Sequence, residues 1–293
     1  MTLASDPTTP IVERLRPANL AELLAWLGEE PVLHVYLSAL ALRDALGAPQ
    51  DETWAARRGG EIVALLHLGG RSGAVLPHGR DPEGLRRLAE VARARRIALP
   101  ARIQVIGPSA GVGMFVEAFE QDGLRARLHR QQVYMQLDPG DLSPIERLPE
   151  LRPARPEDYP MVYDSGAELR AEELEEDPRV VDPRGYPKRV EEECRDGYTW
   201  LWVDGQGLRF RASISAATAD AAQISGVYTP PGRRGQGFAT RGLAEMCRRL
   251  LMRSHHACLF VNDFNEPAIA VYKRLGFRPI SDWASAFFDG SSA

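Results

Sequence analysis

Lysine is nearly missing from this chain: of 36 basic residues only Lys188 and Lys273 are lysines, so almost all the positive charge is arginine, which reads as a bias of composition. Acidic residues number 40, and the formal net charge of -4 argues against a generally basic nucleic-acid binder. Cysteine is scarce as well. Cys194, Cys247 and Cys258 are odd in number and form no C-x-x-C pair, which suits reduced thiols in a cytoplasmic protein. No apolar run approaches the length of a membrane span, and Met1–Asp6 has neither the basic region nor the apolar core of an export signal. Adjacent His255 and His256 point apart and have no ligand pair at helical spacing elsewhere, so no metal is expected. The 293 residues allow about two domains, each able to bury its own core.

The most informative stretch runs from Val227 to Thr240, V-Y-T-P-P-G-R-R-G-Q-G-F-A-T. Val227, Tyr228 and Thr229 end an apolar β run, and Pro230-Pro231 stop the strand by removing two backbone donors. Gly232, Gly235 and Gly237 permit a close approach that a Cβ would obstruct. The helix that follows, with apolar Ala239, Leu243, Met246, Leu250 and Leu251, aims its free N–H groups and positive dipole end at that turn. This order builds an anion site. It is not a P-loop, because Phe238-Ala239 follow Gly237 where Lys-Ser or Lys-Thr is needed. Nor is it a dinucleotide fingerprint, since Thr240 stands where the third glycine belongs.

Arg234-x-x-Gly237-x-Ala239 resembles the pyrophosphate-binding motif of the GNAT N-acetyltransferase superfamily, Gln or Arg, x, x, Gly, x, Gly or Ala. Further on, the chain reads Asn265-Glu-Pro-Ala-Ile-Ala-Val-Tyr272-Lys-Arg-Leu-Gly276-Phe277, with Asn265 as N-cap, Pro267 in the first turn and Gly276 as C-cap. Asn265 and Tyr272 lie about two turns apart, so both project from one face. This is similar to the later helix of the family, N-x-x-A-x-x-x-Y-x-x-x-G-F, with Asn265, Ala268, Tyr272, Gly276 and Phe277 at every named position.

The resemblance implies an α/β fold of layered α+β type: tandem GNAT-like domains, each a mixed, mostly antiparallel sheet flanked by helices. A break at Asp138–Pro149, rich in turn residues, divides residues 1–140 from residues 149–293. The second half carries a short strand at Leu151, helical stretches, a hairpin turning at Asp204–Gly207, the coenzyme strand and helix, the second motif, and one or two closing strands over Arg278–Phe288. The first half repeats this succession, with helices over Asn19–Leu46 broken near Pro31, a hairpin turning at Gly59-Gly60, and strands near Gly73–Pro77, Ile103–Ile106 and Leu128–Leu137. No Arg-x-x-Gly-x-Gly/Ala motif falls where its coenzyme loop belongs, so it reads as a degenerate GNAT-like domain without a coenzyme site. Gly107–Gly113 follows a strand and opens a helix; it reads chiefly as a tight turn with Ser109 as N-cap, since no Arg, Lys or acidic ribose partner stands at an expected distance, with a phosphate site as the alternative.

The implied activity is N-acyl transfer from acetyl-CoA, or another acyl-CoA, to a primary amine by direct attack. The implied coenzyme-binding residues are Val227, Tyr228, Thr229, Arg234, Gly235, Gln236, Gly237, Phe238, Ala239, Thr240 and Asn265, with Arg233 able to assist at a phosphate. Tyr272, a phenol with an ordinary pKa of about 10, is the candidate catalytic acid that protonates the departing thiolate. The general base stays open: the coenzyme strand offers only Gln223 and Ser225, Asp220 stands at its far start, and Tyr228 and Asn262 are weak candidates near the acceptor cleft. The acidic run Glu172–Asp177 reads chiefly as a solvated helix face, with attraction of a cationic amine as the functional alternative. The acceptor is a small amine or an amine on a protein, and no nucleic acid or membrane partner is expected of a monomer or homodimer. A different reading makes the chain a non-catalytic acyl-CoA sensor or regulatory protein, supported by the missing carboxylate on the coenzyme strand.

Overall fold

The computed structural model describes residues 9–289; Met1–Asp6, read above for an export signal, lies outside them. Two compact units form. The first comprises the chain through Tyr134 together with Asn262–Phe264 and the residues from Ile280 onward. The second comprises Met135–Val261 and Asn265–Pro279. Among the described residues no helix is long and apolar enough to cross a membrane.

The first unit runs β1 (Ile11–Arg14), α1 (Leu20–Leu27), α2 (Val35–Asp44), β2 (Asp51–Arg58), β3 (Glu61–Gly69), β4 (Ala74–Gly79), α3 (Pro82–Ala94), β5 (Arg102–Pro108), α4 (Ser109–Gln121) and β6 (Leu128–Leu137), of which the last three residues fall in the second unit. β1 to β4 pair antiparallel in order, β4 and β5 are parallel, and the chain's final strand closes this sheet against β5. The predicted hairpin turns at Gly59 and Gly60, both at positive φ, as a two-residue hairpin turn matched to the strand twist requires. Ser109 is not the cap of α4 but its first residue, because β5 bends into the helix at Pro108. Leu66, Leu88, Val105, Phe115 and Phe288 fill one core against α3 and α4, and Leu23, Leu27 and Leu65 fill another beneath α1 and α2.

The second unit runs β7 (Arg152–Pro153), α5 (Tyr159–Leu174), α6 (Pro178–Val181), α7 (Gly185–Asp196), β8 (Thr199–Asp204), β9 (Gly207–Ala217), β10 (Ala221–Tyr228), α8 (Phe238–Leu250), β11 (His256–Asn262), α9 (Glu266–Leu275) and the start of β12 (Arg278–Asp289). β7 to β10 are antiparallel neighbours and β10 runs parallel to β11. Each unit is thus a mixed, mostly antiparallel sheet with flanking helices, the architecture expected. The units are not contiguous, however, as the expected split of 1–140 from 149–293 would have them. The closing strand from Ile280 belongs to the first unit, where Ala284 and Phe288 pair with Gly107 and Ile103, and the residues just before the break belong to the second.

Both units open with one device. Arg16 donates its backbone N–H to the Asn19 carboxamide at 2.9 Å, and Arg155 donates its N–H to Asp158 at 2.8 Å, in each case across a proline that starts a 3-10 turn. The repeated Arg-Pro-x-Asn/Asp is a sequence signal of duplication that the motif reading passed over.

Glu245 on α8 is fully buried. Burial alone would raise its pKa, but Arg249 at 2.8 Å, Arg147 at 3.1 Å and the Leu148 N–H at 3.3 Å outweigh it and hold the carboxyl at about 2. Since its folded pKa lies below the unfolded value, the ionised group contributes about 3 kcal/mol of stability above pH ~4.5, lost as pH falls towards 2. Urea unfolding at pH 7 and pH 3 is expected to show this loss in the intact chain and a smaller one in Glu245→Gln. At pH 7, Glu245→Ala, which strands Arg147, Arg249 and also Arg248, is expected to cost about 3–5 kcal/mol.

Candidate functional site

β10 and β11 pair through Ala221↔His256, Ala222↔Ala257 and Gln223↔Cys258. There the ladder ends, although β10 runs on to Tyr228 and β11 to Asn262. A bulge between Ser225 and Tyr228, with Gly226 at φ 59, bends β10 at the same place. From Ile224 onward β10 therefore presents to the β11 side a stretch of backbone outside that ladder, and unpaired strand groups are open to another extended chain.

The loop at the end of this fork leads into α8. Gly237, at φ 79, is the N-cap residue and supplies no side-chain bond to the helix. The first N–H groups of α8 have no intrahelical partner and face outward with the positive end of the helix dipole. A Cβ built on Gly232, Gly235 or Gly237 meets nothing within 4 Å. Phe238 is fixed by an edge contact with Trp202 at 5.1 Å and by Arg209 stacked over its ring at 4.6 Å. Gln236 is exposed, and Ala239 and Thr240 are partly exposed in the first turn. Thr229 keeps a buried hydroxyl with no hydrogen-bond partner.

The first unit is arranged differently at its own parallel pair. Its parallel pair, Ala74↔Gln104 and Val75↔Val105, also ends early. A Cβ on Gly107 would stand 2.6 Å from the Pro77 carbonyl oxygen, so the backbones are in contact where β10 and β11 have separated. The N-terminus of α3 is already taken: Asp81 accepts from Gly84 N–H at 2.6 Å and is held by Arg58 at 2.8 Å. A carboxylate built into the chain caps this helix N-terminus.

The two arginines beside the loop in the second unit are differently employed. Arg233 reaches the β8–β9 turn, donating to the Gln206 side chain at 2.7 Å and carbonyl at 3.0 Å, which leaves it less suited to a phosphate than expected. Arg234 donates to the Thr229 carbonyl at 3.0 Å and to both Glu172 oxygens at 2.9 and 2.8 Å. Tyr228 donates its hydroxyl to Glu168 at 2.7 Å, and burial, then that bond, raises its pKa. Glu168 and Glu172, one turn apart on α5, thus border the loop, and the acidic run is not only a solvated face.

Tyr272 projects from α9 into the unit, 6% exposed, with its ring 5.9 Å from Phe277. Burial first, then the negative charge of Glu173, raises its pKa, so the phenol stays protonated at neutral pH. Glu173 was not singled out by the motif reading. Its carboxyl is pushed up to about 7 by crowding and by neighbouring Glu172, although the residue keeps an exposed surface. Asn265 spends its side-chain oxygen on the N–H of Ala268 at 3.2 Å, so the expected coenzyme contact has a helix cap as competitor. Asp220 lies at the opposite end of β10 from Tyr228, beside His255 at 3.7 Å, too far along the strand to serve the fork. Asn262 belongs to the first unit and accepts from Gln132 at 3.1 Å. Among the described residues no group of His, Cys, Asp and Glu could hold a metal.

A fork between parallel strands, a glycine turn and a bare helix N-terminus beside a buried phenol form the frame to set against known proteins. Residues 211–287 match the family model described as FR47-like protein. A Drosophila protein of solved structure superposes with TM-score 0.68 at 17% identity, over 94% of this chain and 98% of its own. A GCN5-related N-acetyltransferase from Sphaerobacter thermophilus gives 0.59 at 18%, over 95% of each chain. The chain has the GNAT fold. A tandem GNAT protein from the clavulanic acid biosynthesis pathway also aligns, with TM-score 0.57 at 18% identity over 97% of this chain and all of that one. A search of curated proteins finds no match. The FR47-like match covers most of β9 through β12, so it includes both GNAT motifs and the fork.

Proposed function

We propose that the second unit is an acyl-CoA-dependent N-acyltransferase, most simply acetyl-CoA to a primary amine by direct attack. The observation that carries this reading is the bare N-terminus of α8, opening onto free space beside a strand fork and a buried phenol. The residues fit the co-substrate. Backbone amides from Gly235 to Thr240 would hold a diphosphate, with Arg234 alongside and the unpartnered Thr229 hydroxyl available. Backbone groups of β10 from Ile224 to Tyr228 would pair with an extended pantetheine arm, and an N–H there would polarise the thioester oxygen. Tyr272 would supply the proton that the departing thiolate takes up. The carboxylates Glu168, Glu172 and Glu173 favour a cationic acceptor, a small amine or a protein side chain.

In this reading the first unit is a GNAT-like domain whose coenzyme position is closed by Pro77, Gly107 and Asp81, leaving one coenzyme per chain. Thiol release from acetyl-CoA, followed across a panel of polyamines, aminoglycosides and lysine peptides, tests the activity. Amine-dependent release is the expected result; tight coenzyme binding with no turnover on any amine would establish a sensor instead.

Arg234 and Glu172 give a separate expectation. Glu172 neutralises Arg234 in the free protein, so Glu172→Gln should tighten coenzyme A binding about 2–5-fold at low salt, the range of an exposed ion pair. Arg234→Gln should weaken it about 5–10-fold without abolishing it, because a guanidinium–phosphate contact is lost while the loop amides remain. Isothermal titration of each variant at two salt concentrations checks both.

A further inference from the structure

On one face of the first unit's sheet, β2 and β3 carry a row that changes from apolar to polar along the strands. Ala55 stands opposite Leu65, Thr53 opposite His67, and Asp51 opposite Gly69. Residues two apart share a face, so Leu65, His67, Thr53 and Asp51 all point the same way, to the side where Ala55 and Leu65 pack with Leu23 and Leu27 of α1. The helices leave space above the polar end of this row. A chamber of about 90 Å³, walled by Leu15, Leu23, Leu27, Leu37 and Leu65, adjoins a second of about 360 Å³ bordered by Tyr36, Gln50 and Ser72. The two share Leu40, Asp44, Ala48, Asp51 and His67.

His67 is 7% exposed, and burial, outweighing the carboxylates Asp51 and Asp44, lowers its pKa, so the imidazole is neutral at pH 7. Its Nδ1 and the Thr53 hydroxyl are 3.3 Å apart, while its Nε2 lies 3.9 Å from Asp51 Oδ2, beyond hydrogen-bond reach. Asp51 uses its other oxygen, Oδ1, to accept from the Gly70 N–H at 3.1 Å. Among the described residues, then, neither Asp51 Oδ2 nor His67 Nε2 has a hydrogen-bond partner, and both residues border both chambers. The nearby arginines are otherwise engaged: Arg43 with Asp44 at 2.6 Å, Arg14 with Glu52 at 3.2 Å and Arg71 with the Gln50 carboxamide at 3.0 Å. A carboxylate oxygen and an imidazole nitrogen at the polar end of a leucine-walled cavity call for a donor that brings its own apolar body.

We propose that these adjoining chambers are a binding site for a primary alkylamine, held between Asp51 and His67. The ammonium lies to one side of the Asp51–His67 line, within hydrogen-bond reach of Oδ2 and of Nε2, while the Nδ1–H of the ring donates to Thr53. Three donors on one nitrogen serve two acceptors that do not face each other directly. The positive charge answers the carboxylate, and the alkyl tail lies along the leucines of the smaller chamber, where burial of apolar surface adds affinity. Binding here needs no coenzyme and does not rest on acyl transfer by the second unit.

Isothermal titration of the full chain with n-hexylamine, in the absence of coenzyme, tests this beside hexanol and hexanoate. Saturable binding of hexylamine is expected, at least ~10-fold tighter than that of either analogue, since only the amine brings a charged donor to Asp51. Asp51→Asn should weaken it at least ~10-fold: the asparagine carbonyl keeps the Gly70 contact, and an amide N–H then meets the ammonium in place of the carboxylate oxygen. Ala48→Phe tests the space instead of the charge. It sets a ring where the chambers adjoin, from a half-buried position between α2 and β2, leaves every polar group in place, and should weaken binding to a similar extent. No heat with hexylamine would overturn the proposal, as would hexanoate binding as tightly, drawn by exposed Arg16 and Arg71. Hexylamine heat unchanged in either variant would place the amine elsewhere, the acceptor side of the second unit included, and would refute this site.

Discussion

Gly237→Val is expected to lower the affinity for coenzyme A at least ~100-fold, a loss of about 2.7 kcal/mol or more. Gly237 combines three properties that no other residue supplies together. Its φ of 79 lies where a β-branched residue is strained, by about 1–2 kcal/mol or more, so the turn would shift. Its Cβ position faces open space, the volume a diphosphate must enter to meet the α8 amides. It is also the N-cap, so any shift tilts the donors themselves. The open surroundings mean that the fold should survive, and a melting temperature within a few degrees of the parent separates lost binding from lost structure. Unchanged affinity would remove the α8 N-terminus as the anion site.

Tyr272→Phe should affect a different step. Turnover is expected to fall about 100-fold, the contribution of a positioned acid, while coenzyme affinity stays within about 2-fold. The ring is buried against Phe277, and the substitution keeps that packing. Burial and Glu173 raise the phenol's pKa, so the parent protein should show no loss of the acid through the alkaline range in which proteins are normally assayed. Single-turnover thiol release, with binding measured separately, checks both halves of the expectation. A rate equal to the parent's would remove Tyr272 as the proton donor.

Much of this frame was legible in the chain because its signals are local. Pro230-Pro231 ending a strand, Gly237 opening a helix, and Asn265 and Gly276 bounding the next are each determined within a few residues, and the hairpin turns at Gly59-Gly60 and Gly205-Gln206 are of the same kind. The closing strand was found, but not its place. β12 follows the second half in sequence and pairs with β5 of the first unit, a long-range choice that alternation along Arg278–Asp289 does not encode.

The acidic side of the site was hidden for a related reason. Glu172 belongs to a charge run that reads as solvated and Glu168 lies one turn before it, and only the position of α5 brings the first to Arg234 and the second to Tyr228. The different loop of the first unit was half visible. The missing Arg-Gly motif could be read from the chain, but not the use of Asp81 as an internal anion, which depends on Arg58 from a neighbouring strand.

Isothermal titration of the intact chain with coenzyme A tests the central claim most directly. The expected result is saturable heat with one coenzyme per chain, lost in Gly237→Val and kept in Tyr272→Phe. No heat with any coenzyme A species, or binding that survives Gly237→Val because it resides in the first unit, would contradict it.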